Sequence, residues 1–269
     1  MANSSGLVTL RPQRVGLTMR KDNWWLAPLG TFLVLSTFIG YATWAALQNA
    51  HYHYGHYLSP FYSPELFGDS MHAWFGPKPD WIPSWLPFSP ALLILWAPAG
   101  FRMTCYYYRG AYYKAFWADP PGCSVAEPRK SYLGENSLPL ILQNAHRYFL
   151  YLALAFLIVL AYDAYNALHF FDPTTGKIVW GLGVGTLVIT ANVVFLSLYT
   201  FSCHSFRHLI GGKNDRMAHK PISMACYSCV SSLNKRHMNF AWISLFGVMG
   251  ADLYVRLCSM GIISDIRIL

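Results

Sequence analysis

Hydrophobic positions along this chain fall in long continuous runs, not in alternating or amphipathic stripes. Five runs reach the roughly 20 residues that a helix needs to cross a hydrocarbon core of about 30 Å. They cover about 24–49, 88–108, 146–168, 178–203 and 238–263. Trp24 and Trp25 open the first run as an interfacial pair. Inside the second, Pro90 suits a first helical turn, whereas Pro98 predicts a kink. Continuous apolarity argues against transmembrane strands, in which lipid-facing and lumen-facing residues alternate. The pattern predicts an all-α integral membrane bundle of five transmembrane helices, forming one domain over residues 1–269. Segment 50–87 is too long for a bare connection and predicts a small cap with short interfacial helices. No internal repeat is evident, which weighs against an inverted-repeat transporter.

Lys and Arg orient the bundle. Four lie in the N-terminal tail (Arg11, Arg14, Arg20, Lys21) and six around the join of runs two and three (Arg102, Arg109, Lys114, Arg129, Lys130, Arg147). Six more join runs four and five (Arg207, Lys213, Arg216, Lys220, Lys235, Arg236), so sixteen of the 20 share one side. The other side keeps Lys78, Lys177 and Arg267, and Arg256 lies within the last run. The positive-inside rule then puts the N-terminus in the cytoplasm and the C-terminus outside, in a multi-pass protein of the plasma membrane.

Composition agrees with the bilayer as solvent. Only 12% of residues are charged and 54% are hydrophobic, against about 25% charged in soluble domains. That excludes a disordered chain, a coiled coil and an ordinary soluble enzyme. The net charge of +8 sits between apolar runs, so it reads as topology and not as a nucleic-acid surface. The polar, basic first 23 residues and the length of the first run argue against a cleavable signal peptide.

On this topology, soft and imidazole ligands gather at the cytoplasmic helix ends: Cys105, Cys123, His146, Cys203, His204, His208 and His237. His204 and His208, four residues apart, share a helical face about 6 Å apart. With Cys105 and Cys123 they make a two-Cys, two-His set, the composition of a Rieske-type [2Fe–2S] centre; Cys203, His146 and His237 are substitutes. Helix capping and packing would use the same residues. The rival chemistry is bis-His haem b, held inside by His146, His204 or His237 and outside by His169 with His51 or His53. Haem needs no thiol and leaves the clustered cysteines unexplained.

The remaining candidates divide more simply. Cys226 and Cys229 form a lone C-x-x-C, weak evidence for zinc, and Cys258 reads as a small apolar residue. Asp252 and Arg256, spaced i,i+4, read as a structural ion pair, with a proton route or a transporter as the alternative; Asp163 lies near the outer end of run three. The aromatic and cationic stretch 101–114 suits a quinone headgroup or a docking surface, and Arg102, Tyr106 and Arg207 are the candidate quinone-binding residues.

The elements F-R-M-T-C-Y-Y-Y-R (101–109), L-Q-N-A-H-R-Y-F-L-Y (142–151), Y-T-F-S-C-H-S-F-R-H-L-I-G-G (199–212) and L-N-K-R-H-M (233–238) resemble the cytochrome-b-like membrane anchor of bacterial succinate dehydrogenase (respiratory complex II). The likeness is to the single-anchor actinobacterial class and covers runs two to five. It implies a complex with a flavoprotein that oxidises succinate and an iron–sulfur protein that carries its electrons to the membrane. It further implies a haem-less anchor with a Rieske-type [2Fe–2S] cluster beside a menaquinone or ubiquinone. The four ligands are not separated by the resemblance, since all seven candidates lie in or beside matching motifs.

Overall fold

A computed structural model of the chain describes residues 15–83, 88–128, 136–138, 140–172, 175–212 and 220–269. Arg11, Arg14, Arg129, Lys130, Lys213 and Arg216, counted in the charge pattern, lie outside the described residues. The architecture is mostly helical, with four helical segments among the described residues long and apolar enough to cross a membrane: Leu26–Gln48 (α1), Leu140–Asn166, Val184–Phe201 (α6) and His237–Ser259 (α9). The second of these joins a 3-10 turn, Leu140–Ala145, to α5, His146–Asn166. On α1 the side chains of Leu29, Phe32, Leu33, Ile39, Trp44 and Leu47 are exposed. At about 1.5–3 kcal/mol for each large side chain left in water, that face alone would cost on the order of ten kcal/mol in a soluble protein. It suits lipid.

The second predicted run is divided into three helices, Pro90–Ile94 (α2), Trp96–Thr104 (α3) and Tyr106–Phe116 (α4). Pro98 has no N–H to offer the Ile94 carbonyl, so the ladder lapses between α2 and α3, although Leu95 keeps helical angles (φ −64°, ψ −21°). The break after α3 has a different cause: Cys105 turns extended, with φ −64° and ψ 131°. Neither α2 nor α3 alone spans a bilayer.

Two further expectations are corrected. The fourth run starts at Val184 and not at Ile178, because Lys177–Trp180 (β4) pairs antiparallel with His169–Asp172 (β3). Gly176, at φ +66°, makes the turn, and the β-branched and aromatic residues Ile178, Val179 and Trp180 suit a strand. In a short apolar stretch the two readings share one pattern. The outer segment, among its described residues, contains no helix; it carries a hairpin of His53–Tyr54 (β1) and Tyr57–Leu58 (β2). Pro60, Pro64, Pro77, Pro79 and Pro83 lack the N–H groups a helix interior requires.

That outer segment is plugged into the bundle. Tyr52 and Tyr62 stack at 4.2 Å, and the Tyr62 hydroxyl donates to the Ala45 carbonyl (2.8 Å). The Ser59 and Ser63 hydroxyls donate to buried Asp252 and Asp163, and Tyr57 donates to Asp265 at 2.7 Å. α9 packs chiefly on α6, and α5 on α3 and α6. Gly100 permits the α3–α5 approach, since a Cβ there would lie 2.2 Å from the Phe149 ring.

The predicted ion pair is present. Arg256 Nε donates to Asp252 Oδ2 at 2.7 Å, and its other nitrogens donate to the Ala50 and Ala45 carbonyls at 2.9 and 2.8 Å. Ala45 lies in the last turn of α1, where carbonyls lack helical partners, so one guanidinium neutralises a buried charge and caps a second helix. Tyr41 also donates to Asp252 (2.6 Å). Arg256→Met strands a buried carboxylate and is expected to cost about 3–5 kcal/mol, read as a fall in the melting temperature of the purified protein. Adding Asp252→Asn should restore part of that loss.

Candidate functional site

Two helices stop on the same short sequence. In Phe101-x-x-Thr104-Cys105-x-x-Tyr108-Arg109 and Tyr199-x-x-Ser202-Cys203-x-x-Phe206-Arg207, an aromatic, a hydroxyl, a thiol, a second aromatic and an Arg recur at identical spacing. Each cysteine is extended (φ −64°, ψ 131° at Cys105; φ −63°, ψ 141° at Cys203), and a helix restarts on the next residue. The restarting helices are α4 and His204–Gly211 (α7). This echo is a local repeat that the sequence reading missed, because it is short and its matches are by type more than by identity.

The first residues of α5 and α9, His146 and His237, meet these corners in a crossed arrangement. His146 places Nδ1 2.9 Å from the Thr104 hydroxyl and Nε2 3.0 Å from the Cys203 sulfur. His237 places Nδ1 2.7 Å from the Ser202 hydroxyl and Nε2 3.3 Å from the Cys105 sulfur. Each ring takes its hydroxyl from one corner and its thiol from the other. The aromatics four residues before the cysteines complete the cage: Phe101 stacks on His146 (4.7 Å, 7°) and Tyr199 on His237 (5.1 Å, 15°). Cys105, Cys203 and His146 are buried.

Arg102 lies over the Tyr199 ring at 4.9 Å and donates to the Tyr108 hydroxyl (2.7 Å) and to Ser244 (3.1 Å). It supplies positive charge beside the thiols while bonding neutral oxygens. An apolar cavity of about 380 Å³, open on one side, lies next to this cage and is lined by Phe38, Ala42, Phe101, Leu157, Arg102 and Tyr199 among others.

The cage brings two thiols and two imidazoles together at four helix ends. Among the described residues no three His, Cys, Asp or Glu side chains converge as one ion requires. A [2Fe–2S] centre of Rieske type asks for two protein ligands per iron, two thiolates and two imidazoles in all. Nδ1 of each imidazole is held by a hydroxyl, which fixes the ring's orientation, and each Nε2 faces a thiol.

The other predicted residues lie elsewhere. Cys123 is exposed in a loop, where its carbonyl accepts from Arg20 at 3.0 Å. His204 and His208 face each other on α7 with Nε2 atoms 3.0 Å apart. Burial and the neighbouring His208 lower the pKa of His204. Arg207 is tied to Tyr227 (2.7 Å) and Ser231 (3.0 Å) on Pro221–Asn234 (α8). Tyr106 is exposed on α4 beneath Arg109. Cys226 and Cys229 are exposed on α8, and Cys258 is buried in α9. Outside, His169 Nδ1 lies 3.3 Å from the Asn166 carbonyl and His51 Nδ1 lies 3.4 Å from Ser259.

Four long apolar helices around a buried Cys/His cage define a multi-pass membrane subunit with a built-in site at its basic end. The chain matches the family described as actinobacterial succinate dehydrogenase subunit SdhC over residues 26–261, and it belongs to that family. It is also similar to a chain of the solved Mycobacterium smegmatis Sdh1 complex in the apo form. The two are 41% identical with a TM-score of 0.84, over 96% of this chain and 98% of that one. Comparison with curated proteins gives no match. Family membership makes the chain a non-catalytic membrane subunit of succinate dehydrogenase, associated with that enzyme's other subunits in the bacterial plasma membrane.

Burial divides the six thiols into two sets. In detergent-solubilised membranes Cys123, Cys226 and Cys229 are expected to label rapidly with a maleimide. Cys105, Cys203 and Cys258 should label only after denaturation, with peptide mass spectrometry as the readout.

Proposed function

We propose that this subunit delivers electrons from the docked iron–sulfur protein of succinate dehydrogenase to a membrane quinone, and that Cys105, Cys203, His146 and His237 hold a Rieske-type [2Fe–2S] cluster. The observation that carries the reading is the crossed cage, in which both Nε2 atoms turn to thiols and both Nδ1 atoms are held by hydroxyls. Cys105 is kept from the first sequence assignment. Cys203, His146 and His237 replace Cys123, His204 and His208, which favours buried donors on four helix ends over an exposed loop and a surface turn. Such a group supplies one-electron transfer at a potential above that of all-thiolate clusters.

This chain's own residues do the rest. Thr104 and Ser202 hold the two imidazoles in one tautomer. Phe101 and Tyr199 clamp the rings and keep water from them, and Arg102 favours added negative charge nearby. The cavity offers an apolar slot for an isoprenoid tail, with Arg102 at its border as donor to a quinone carbonyl, which becomes more basic on reduction. Tyr106 and Arg207 belong, on this reading, to the surface that meets the iron–sulfur protein. The haem b alternative would use His146, His204 or His237 and leaves the buried pair Cys105 and Cys203 without a role.

α2 and α3 together form, on the same reading, a fifth crossing in a single domain. Pro90–Thr104 reaches about 22 Å at 1.5 Å per residue, shorter than the apolar core, and α4 continues it past the Cys105 bend. The N-terminus is then cytoplasmic and the C-terminus outside, in keeping with the basic residues.

The test is spectroscopic. The double change His146→Ala, His237→Ala is expected to remove a low-average-g EPR signal and quinone reduction from the purified complex. Succinate oxidation with an artificial acceptor and the soluble clusters should survive. His204→Ala, His208→Ala should keep the signal. A reduced-haem band without that signal would overturn the cluster reading. Separately, Arg102→Ala is expected to lower quinone reduction roughly 10²-fold with the EPR signal retained, measured as turnover with a soluble quinone.

A further inference from the structure

Helix α8 has two unlike faces. Ile222, Ala225, Cys226 and Cys229 follow one another at intervals of three, one and three residues, so they form a single stripe along the helix, which Leu233 extends. All four are exposed, Ile222 to 80%, and Leu233 is half-buried. The other face is tied to the bundle. The Tyr227 and Ser231 hydroxyls accept from Arg207 at 2.7 and 3.0 Å, and the Asn234 amide donates to the Ser202 carbonyl at 2.7 Å. Val230 is buried. These bonds fix the roll of α8 about its own axis and hold the apolar stripe outward.

We propose that this stripe is a lipid-binding surface, which lies in the headgroup layer of the cytoplasmic leaflet and recognises anionic phospholipid. Three observations carry it. The first is depth: α8 ends at Asn234, and the spanning helix α9 begins at His237. α8 also packs on α7, which starts at His204, just past the end of the spanning α6 at Phe201. Both attachments hold α8 at the level where spanning helices emerge. The second is charge. Lys220 stands at the N-cap of α8 and Lys235 at its C-cap, followed by Arg236, all three exposed. No Asp or Glu occurs from 216 to 251. An apolar stripe with cations at both ends suits a helix lying in the interface, its apolar side about 5–10 Å into the headgroup and acyl boundary and its cations on phosphate. The third is the make-up of the stripe. It has Ala, Cys and Ile, and none of the Trp, Tyr or Arg anchors that carry most protein interfaces. The exposed Ser228 and Ser232 border it with hydroxyls.

Photo-crosslinking in the intact complex tests this. The purified complex is reconstituted into phosphatidylcholine vesicles that carry a small, equal fraction of diazirine-bearing phosphatidylglycerol or diazirine-bearing phosphatidylcholine. Adducts on this chain are then mapped by peptide mass spectrometry. They are expected on Ile222, Ala225, Cys226 and Cys229, and not on Tyr227, Val230 or Ser231. Phosphatidylglycerol should give about fivefold more of them, the preference that one cation near an anionic surface confers. Lys235→Gln, which leaves the stripe intact, should lower that preference, and a preference that does not move overturns the proposal. Absence of adducts from the stripe with either lipid overturns it too, as does equal yield from the two. If adducts arise only after the soluble subunits have been stripped with a chaotrope, the stripe is covered by protein and the lipid assignment fails. The comparison of the two lipids uses the wild-type complex, so it decides the matter even if Lys235→Gln does not assemble.

Discussion

The crossed bonding of two imidazoles is the constraint around which the basic end of this protein is built. A histidine ring has two nitrogens about opposite one another, and a fixed orientation needs both to be engaged. Here each Nδ1 is taken by the hydroxyl of one corner and each Nε2 looks at the thiol of the other. Satisfying both nitrogens requires α5 and α9 to begin where α3 and α6 end. It also requires both ending helices to release their cysteine into extended backbone, so that hydroxyl and thiol point to different rings. Four helix ends are thereby brought to one place. The aromatic residues one turn earlier then fall over the rings without further specification, since i and i+4 share a helix face.

The opposite end is held by charge and hydroxyl groups in place of sulfur and imidazole. Buried Asp252 receives Arg256, Tyr41 and Ser59, and buried Asp163 receives Ser63. These contacts fasten the outer segment into the bundle, and Arg256 completes the last turn of α1 through Ala45. An ion pair in an apolar setting contributes little net stability and is costly to break; its effect is to fix which segments meet. The apolar cavity lies between these two ends, with Arg102 and Tyr199 of one and Ala46 and Phe61 near the other among its lining.

Much of this was legible from the pattern of residues alone. Apolar run length predicts five spans because a bilayer sets a minimum length, and four of them are long apolar helices among the described residues. The Asp252–Arg256 pair was legible because i,i+4 neighbours on a helix meet whatever the rest of the fold does. The same local logic brings His204 and His208 together, with Nε2 atoms 3.0 Å apart on an exposed face of α7, and says nothing of which thiols they meet. The helical reading of Ile178–Trp180 and of the outer segment failed for a related reason, since short apolar or aromatic stretches serve strands, loops and helices alike.

By itself, then, the sequence determined the solvent, the helical class and the roster of sulfur and nitrogen donors at the basic end. It also carried the resemblance to succinate dehydrogenase anchors, which family membership bears out. Which donors meet was decided only by the tertiary structure. Residues 105 and 237 lie more than a hundred positions apart, and no periodicity links them. Their encounter depends on where α3 breaks, how α9 packs on α6 and which side of an extended cysteine the thiol leaves from. Those are packing and backbone choices summed over the whole bundle, and spacing along a chain encodes only the contacts that one helix makes with itself.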